Sequence, residues 1–207
     1  MLRETRISTI RHASTEYNTQ RRYAGSIDVP LSEKGIQEAR KAATKLAKAR
    51  FDVVITSPLK RAVQTARLLV KNVSIVPSKL CTERHFGILE GLTWDEIRGL
   101  QPPVLLIQVG YDLHTVNPKR AEPFEDVWQR AKAFRRFLFD TYSGAEILVV
   151  SHGVFLQLFN GLLRRLNCIE SLAFYPGNLE LVRFRFRGER LLGETTSRLG
   201  SDEIVKW

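Results

Sequence analysis

Cationic and imidazole side chains stand at three points of the sequence where a strand is predicted to end. Arg11 and His12 directly follow an apolar, β-branched stretch. Arg61 lies one turn into a predicted helix, and His152 lies in a predicted strand-to-helix turn. Because ligands of open α/β sheets bind outside the carboxyl ends of the strands, we expect these side chains to lie close together. Two arginines and two histidines in one pocket would repel one another without a multiply charged anion, so the pattern predicts a phosphoryl-binding site.

The elements that would position these residues are indicated by hydrophobic periodicity. The stretch RISTI predicts a strand that ends at Arg11. A second strand is predicted over 51–56, followed by a helix with Ser57 as its N-cap and Pro58 as its first residue. A third strand, over 147–150, precedes a Ser-His-Gly turn and another helix. The sequence thus repeats a strand-turn-helix arrangement at the candidate site.

Other helices are predicted from caps and from apolar residues at helical spacing. The first follows the N-cap residue Ser32, and its predicted buried face is Ile36, Ala39, Ala43, Leu46 and Ala47. A capping box of Thr93 and Glu96 indicates a short helix. A long helix has an apolar face formed by Phe124, Val127, Trp128, Ala131, Phe134 and Leu138.

The remaining strands complete the predicted fold class. VSIVPS predicts one more strand, and near the C-terminal end Phe184 and Phe186 alternate with arginines before a turn at Gly188. This alternation is typical of an antiparallel hairpin with one face exposed to water. Together the elements predict an α/β fold, a three-layer α/β/α sandwich on a mostly parallel sheet with an antiparallel edge.

The length of the chain favours one domain over residues 1–207, since 207 residues suit a single hydrophobic core. An apolar share of 43% and a charged share of 26% are ordinary for globular proteins, so no disordered segment is predicted. The segment from 100 to about 121 is interrupted by prolines and a glycine. It is predicted to be an irregular excursion over the surface, of the kind that often carries specificity.

Composition also indicates compartment and partners. No apolar block long enough for a signal peptide follows Met1, so a cytoplasmic protein without a membrane partner is expected. Cys81 and Cys168 are isolated thiols, more typical of buried residues than of a disulfide. A net charge of +10 favours anionic ligands but does not choose among nucleic acid, acidic membranes and phosphorylated small molecules. The sequence leaves open whether the chain forms a homodimer.

Four sequence blocks carry a family resemblance. RHASTEYN, SPLKRAVQTA, TERHFGILEG and VVSHGVF resemble, in order and spacing, the signature blocks of the histidine phosphatase superfamily, on its phosphoglycerate mutase-like phosphatase branch. YAGSIDVPLSEKG and EPFEDVWQRAKAF resemble the segments between those blocks, so only the C-terminal tail is weakly covered. The resemblance implies the three-layer fold and a phosphomonoester hydrolase that acts on a small phosphorylated metabolite.

The resemblance also implies roles for individual residues. His12 would be the nucleophile that forms a phosphohistidine, and Glu83 the acid that protonates the leaving oxygen. His152 would be the third catalytic residue, holding the phosphoryl oxygens together with Arg11 and Arg61. The other substrate-binding residues implied are Asn18, Arg22 and Gly25. Neither a metal ion nor an organic cofactor is implied, and the four histidines and two cysteines lack a recognisable metal-ligand spacing.

Several positions depart from the family pattern. Ala13 stands where the family usually has glycine, so the turn must have a backbone conformation that alanine tolerates. Ser14 stands where glutamate is frequent, and Phe86 replaces a frequent tyrosine, which removes a hydroxyl from the substrate wall. These differences bear on the identity of the substrate and leave the reaction type unchanged.

Alternative interpretations remain at this point. Glu83 could form a surface ion pair with Arg84. A cofactor-dependent phosphoglycerate mutase would share the blocks, but mutases have a longer insertion than the 69 positions between residues 83 and 152. Lys119 and Arg120 could clamp a second anionic group, which would suit a sugar-bisphosphate phosphatase. From other classes, a basic nucleic-acid-binding domain or an inactive family member would also account for the charge, although the sequence has no recognisable nucleic-acid module.

Overall fold

A six-stranded sheet forms the centre of the computed structural model, which describes residues 3–116 and 118–200. Within those residues the strands are β1 (Glu4–Arg11), β2 (Val53–Thr56), β3 (Ile75–Pro77), β4 (Leu106–Val109), β5 (Asp112–Thr115), β6 (Glu146–Ser151), β7 (Glu180–Arg187) and β8 (Arg190–Arg198). The sheet has the order β3, β2, β6, β1, β7, β8. The first four strands of that order are parallel, whereas β7 and β8 are antiparallel to their neighbours.

Helices cover both faces of this sheet. They are α1 (Glu16–Thr19), α2 (Glu33–Leu46), α3 (Lys60–Leu69), α4 (Trp94–Arg98), α5 (Phe124–Thr141), α6 (Gly153–Leu163) and α7 (Cys168–Ser171). Alternate residues of β6 face opposite layers: Leu148 and Val150 pack with α2 and α3, and Ile147 and Val149 pack with α5 and α6. Because β2 and β6 are buried on both faces, they are short, nearly continuous apolar runs. The predicted three-layer α/β fold with an antiparallel edge is confirmed.

The helix predictions hold with two corrections. Ser32 caps α2 by accepting a hydrogen bond from the Gly35 amide (3.1 Å), but Ala42 is buried in place of the predicted Ala43 and Ala47. The helix after β2 begins at Lys60, two residues later than predicted. Ser57 accepts a hydrogen bond from the Leu59 amide and stabilises the turn, while the Lys60 amide donates to Asp28 (2.6 Å) from a different loop. The side chain of Asp28, which is distant in sequence, therefore accepts a hydrogen bond from a backbone amide in the first turn of α3. A capping pattern in the local sequence could not indicate this contact.

The excursion after residue 100 is more regular than predicted. β4 and β5 form an antiparallel hairpin that turns at Gly110, where φ is +62°. The prediction of an irregular surface segment is wrong here, since His114 and Thr115 on β5 are buried. At the other end of the chain the predicted β7–β8 hairpin is confirmed, with Phe184 and Phe186 buried.

Strand register brings the predicted site residues to one edge of the sheet. Arg11 pairs with Ser151, the last residue of β6, and Thr56 at the end of β2 pairs with Val150. The pairing continues beyond the strands, because the His12 amide donates to the Ser151 carbonyl (2.9 Å). Three carboxyl-terminal strand ends are thus held side by side, which places the segments that follow them around one crevice.

Candidate active site

Arg11, His12 and Arg61 line one pocket at this edge, and His152 lies beside them. The ring centroids of His12 and His152 are 5.2 Å apart, and the Nε of Arg61 donates to Nδ1 of His152 across 3.2 Å. All four side chains are at most 5% exposed. The structure therefore brings together the residues that the sequence placed at separate strand ends, and concentrates positive and imidazole groups in one buried region.

The imidazole of His12 is held in one tautomer. Its Nδ1 lies 2.7 Å from the carbonyl of Ala13, so Nδ1 carries the hydrogen and donates it. This leaves the lone pair of Nε2 free for a substrate. Burial, together with the charges of Arg61 and Arg11, holds the pKa of His12 well below its ordinary value. The ring is therefore neutral at physiological pH, which is the form that can act as a nucleophile.

His152 has the opposite tautomer. Its Nδ1 accepts the hydrogen bond from Arg61, so the hydrogen lies on Nε2. Burial, with the charges of Arg61 and other neighbouring groups, lowers the pKa of His152 well below its ordinary value. Nε2 is buried and has no hydrogen-bond partner among the residues that the structure describes. His152 is thus a neutral side chain with an unused donor beside His12.

Arg11 has a second unused donor. One of its terminal nitrogens donates to the carbonyl of Pro176 (3.1 Å), but its Nε is buried without a partner in the described part of the chain. A buried donor left unpaired costs about 1–3 kcal/mol. Two such donors beside a nucleophilic imidazole indicate a site that is completed by an acceptor-rich ligand such as a phosphoryl group.

The loop after α1 fixes the guanidinium of Arg61. Its two terminal nitrogens donate to the carbonyls of Gly25 (2.7 Å) and Ile27 (2.8 Å). Gly25 has a φ of +49°, and a Cβ there would collide with the carboxylate of Glu90. Gly25 therefore lines the pocket through its backbone, and glycine is required for both conformation and space.

Glu83 lies at the N-terminus of α6 and does not pair with the side chain of Arg84. Its carboxylate accepts hydrogen bonds from the amides of Val154 (3.2 Å), Phe155 (3.1 Å) and Arg84 (2.8 Å). The alternative of a surface ion pair with Arg84 is therefore wrong. The helix amides orient the carboxylate within the pocket that contains His12.

Arg130 on α5 holds the segment that carries Glu83. It forms a salt bridge with Glu122 (2.7 Å) and donates to the carbonyls of Leu80 (2.9 Å) and Thr82 (3.1 Å). These contacts fix the backbone immediately before Glu83 to a long helix. The position of the carboxylate is thus set from both sides, by α5 and by α6.

Asn18 and Arg22 complete the set of predicted site residues in the pocket lining. The carbonyl oxygen of Asn18 accepts from the Thr15 amide (3.0 Å), which leaves its NH₂ group for a ligand. Arg22 also lines the pocket, but it donates to the Gly91 carbonyl (2.7 Å) and forms a salt bridge with Glu96 (3.2 Å). Lys119 and Arg120 are exposed and are not among the described residues that line this pocket, so the idea that they clamp a second anion is not supported.

Several pocket residues were missed by the sequence reasoning. The guanidinium of Arg11 lies over the ring of Tyr175, 5.0 Å from the ring centroid. The hydroxyl of Tyr175 packs against Gly153, and a Cβ at Gly153 would collide with that hydroxyl. Arg84 stacks 3.8 Å from the ring centroid of Phe124, and Asp112 comes from β5. The available signals were slight: Tyr175 precedes a Pro-Gly turn before a strand, and Asp112 follows the turn at Gly110.

Positions that depart from the family pattern have local explanations. Ala13 has no left-handed backbone conformation and is fully buried, and its amide donates to the Thr65 hydroxyl (3.0 Å). Its methyl group is thus accommodated. Ser14 donates to Glu38 (2.8 Å), so its hydroxyl contacts α2. Phe86 lines the pocket and packs edge-on against Tyr23, with centroids 4.8 Å apart, which gives the wall an apolar surface.

Comparison with known proteins agrees with this geometry. Residues 7–196 match the family model described as histidine phosphatase superfamily (branch 1), and the chain belongs to that superfamily. It is 35% identical over 113 residues to a 2,3-bisphosphoglycerate-dependent phosphoglycerate mutase of Nautilia profundicola, covering 50% of this chain and 49% of that protein. It is 31% identical over 147 residues to phosphoserine phosphatase 1 of Hydrogenobacter thermophilus, covering 70% and 69%.

Solved structures include close matches over nearly the whole chain. The α-ribazole phosphatase of Shigella flexneri superposes with a TM-score of 0.79 at 25% identity, covering 98% of this chain and 99% of that one. By contrast, the aligned regions span only 41% to 66% of the lengths of five curated relatives. No helix within residues 3–116 and 118–200 is long and apolar enough to cross a membrane. In the same residues no group of three or more His, Cys, Asp or Glu side chains is placed to hold a metal ion.

Proposed function

We propose that this chain hydrolyses phosphomonoesters of small metabolites through a phosphohistidine on His12, without a metal ion or cofactor. The observation that supports this most strongly is the state of His12: a buried, neutral imidazole with Nδ1 tied to Ala13 and Nε2 free. Around it lie the unused donors of Arg11 and His152. A nucleophile and a set of donors for the charge that develops in transfer are thus combined in one pocket.

In the first step, Nε2 of His12 attacks phosphorus. A P–N bond forms while the ester P–O bond breaks, and Glu83 gives a proton to the leaving alkoxide. Arg11, Arg61 and His152 bind the phosphoryl oxygens as charge moves between the attacking and leaving atoms. Each donor of this kind commonly contributes about 10²- to 10³-fold in rate.

In the second step, water attacks the phosphohistidine. Glu83 accepts a proton from the water, a P–O bond forms, and the P–N bond breaks to regenerate neutral His12 and release inorganic phosphate. The same carboxylate therefore acts first as acid and then as base. Its hydrogen bonds to the Val154 and Phe155 amides support this role because they hold it in place through both steps.

The test is release of phosphate from p-nitrophenyl phosphate, in EDTA, by the unmodified protein and by His12→Ala. We expect the substitution to abolish release and to prevent acid-labile, alkali-stable phosphorylation of the protein during turnover. A matched control is His85→Gln, since His85 is an exposed imidazole outside the described pocket lining. Equal rates for the unmodified protein and His12→Ala would refute the proposal.

A phosphoglycerate mutase is the second candidate, favoured by the 35% identity to the Nautilia enzyme. A mutase must bind a second anionic group and return the phosphoryl group to it. Lys119 and Arg120 lie outside the described pocket lining, and the hairpin contributes Asp112 to the wall instead, which disfavours a second phosphate. Incubation of 3-phosphoglycerate with catalytic 2,3-bisphosphoglycerate separates the two functions, because isomerisation indicates a mutase and free phosphate a phosphatase.

The names of the relatives support a small molecule as the substrate in this proposal. Two of these relatives are named as a phosphoserine phosphatase and an α-ribazole phosphatase, and each name describes that relative alone. The pocket of this chain combines a cationic region with an outer wall formed by Tyr23, Phe86, Phe124 and the β5 residues. A small phosphorylated metabolite with an organic part that contacts this wall is therefore the substrate class that we propose.

A further inference from the structure

The peptide unit between His12 and Ala13 is held from two sides by side chains that have no part in the proposed reaction. Its carbonyl, which belongs to His12, accepts a hydrogen bond from Nδ2 of Asn178 (2.7 Å). Its amide, which belongs to Ala13, donates to the hydroxyl of Thr65 (3.0 Å). Asn178 lies 166 positions after His12, and Thr65 lies in α3. Two distant parts of the chain therefore meet on the one peptide unit that follows His12.

The hydroxyl of Thr65 is arranged to accept the hydrogen bond from the Ala13 amide. It donates its own hydrogen to the carbonyl of Arg61, about one helical turn earlier, across 2.7 Å. The lone pairs of its oxygen are therefore left for the Ala13 amide. Thr65 is fully buried, so bulk water does not compete for this oxygen. The helix that carries Arg61 is thus connected directly to the backbone that carries His12.

The segment that contains Asn178 also fixes Arg11, the residue before His12. The carbonyl of Pro176 accepts a hydrogen bond from Nη1 of Arg11 (3.1 Å), and the amide of Leu179 donates to the Arg11 carbonyl (3.1 Å). Asn178 lies between these two contacts, so its own backbone is held against the end of β1. The hydrogen bond from Asn178 to His12 is therefore one of three that join the two segments.

This arrangement determines how the imidazole of His12 meets the backbone. Nδ1 of His12 lies 2.7 Å from the carbonyl of Ala13, which belongs to the next peptide unit. Peptide units are rigid planes, so only φ and ψ of Ala13 relate that carbonyl to the unit before it. Because Asn178 and Thr65 hold the first plane, they limit where the Ala13 carbonyl can lie. The carbonyl stays where it accepts the Nδ1 hydrogen, and Nε2 is left unprotonated.

We propose that Asn178 and Thr65 are positioning residues that set the tautomer and the direction of the His12 imidazole through the peptide unit between His12 and Ala13. The effect on rate rests on the proposed function, in which Nε2 of His12 attacks phosphorus. Neither residue is needed to bind the phosphoryl oxygens. Loss of either contact should therefore slow phosphorylation of His12 while the affinity for inorganic phosphate changes little.

The first measurement is the tautomer of His12, by NMR of protein with ¹⁵N-labelled histidines at a pH well above their ordinary pKa. The chain has four histidines, and the signals of His12 are those missing from His12→Ala. In the unmodified protein we expect a protonated Nδ1 and an unprotonated Nε2. In Asn178→Ala and Thr65→Val both signals should move toward the average of two tautomers. An unchanged Nδ1–H tautomer in both variants would overturn the inference.

The second measurement is the single-turnover rate of p-nitrophenolate release, together with the inhibition constant of inorganic phosphate. We expect the rate to fall about ten- to a hundredfold in Asn178→Ala and in Thr65→Val, because a small misplacement of an attacking atom has a large effect on rate. Thr65→Ser keeps the hydroxyl and should retain most of the rate. A rate loss accompanied by an equal loss of phosphate binding would contradict a positioning role.

Controls separate positioning from folding and from the proposed reaction itself. Thr44→Val should have a normal rate, since Thr44 is exposed on α2 and its hydroxyl also donates to a carbonyl about one turn earlier (Lys41, 2.8 Å). Thermal unfolding curves show which variants are folded. Normal rates in folded Asn178→Ala and Thr65→Val would overturn the inference. If instead His12→Ala is fully active, the proposed function fails, and the NMR comparison still tests the tautomer.

Discussion

The Nε of Arg61 donates to Nδ1 of His152 across 3.2 Å, between two buried side chains that are 91 positions apart in sequence. This contact sets the tautomer of His152 and turns its Nε2 hydrogen into a donor next to His12. Arg61 therefore adds a positive charge to the pocket and orients His152 through its hydrogen bond.

Arg61→Lys should lower kcat about 10²- to 10³-fold, because lysine keeps the charge but cannot contact His152 and the two carbonyls at once. Activity on p-nitrophenyl phosphate, with a thermal unfolding curve to confirm folding, measures this. Arg67→Lys is the matched control, since Arg67 is exposed on the same helix. A folded Arg61→Lys protein with normal kcat would contradict the assignment.

Replacement of Glu83 by glutamine should affect substrates unequally. Glutamine cannot give a proton to the leaving oxygen, so hydrolysis of an alkyl phosphate should fall about 10²- to 10⁴-fold. p-Nitrophenolate needs little protonation, and its release should fall much less. Single-turnover rates of leaving-group release on the two substrates test this, because they exclude the later hydrolysis in which Glu83 acts as base for both substrates. An equal loss in this first step would indicate that Glu83 does not act as the acid.

The free energy of unfolding should fall as the pH drops below the ordinary histidine pKa of 6.5. His12 and His152 are buried and have lowered pKa values, so the unfolded chain binds more protons there than the folded chain. Their contribution is thus complete above pH 6.5 and is lost on acidification, at up to about 1.4 kcal/mol per pH unit for each histidine. Denaturant unfolding of the unmodified protein and of His12→Asn should show a shallower pH slope in the variant.

Gly153→Ala should destabilise the protein, because the added methyl would collide with the hydroxyl of Tyr175. We expect a loss of about 1–3 kcal/mol, with partial rescue by Tyr175→Phe, which removes that hydroxyl. Gly177→Ala is the control, since a Cβ there meets only ordinary contact at 3.6 Å from Glu180. Additive losses in the double variant would show that the two residues are not coupled.

The parts of the site that could be predicted from sequence are those that follow strand ends. Arg11, His12 and His152 are positioned by parallel pairing, and that pairing is encoded in short apolar runs next to turns. The roles assigned to these residues, and to Asn18, Arg22 and Gly25, remain predictions.

The outer wall could not be predicted because its contacts depend on tertiary packing. Asp112 reaches the pocket because the hairpin turns at Gly110, which packs against Ala173 about 60 positions later. The alternative of a surface ion pair between Glu83 and Arg84 followed the rule that charged side chains are usually exposed, yet Arg84 is buried, and backbone carbonyls and an aromatic ring compensate its burial. The start of α3 was misplaced for the same reason, since its capping group, Asp28, belongs to another loop.

The position of β1 in the sheet has a consequence for how the protein is made. β1 leads directly into His12, the proposed nucleophile, and lies between β6 and β7, so both of its neighbours are translated more than a hundred residues later. A nascent chain that has emerged only to α5 contains His12 but neither the strand that aligns it nor His152. The proposed site can therefore be completed only late in synthesis, when β6 and β7 insert on either side of β1.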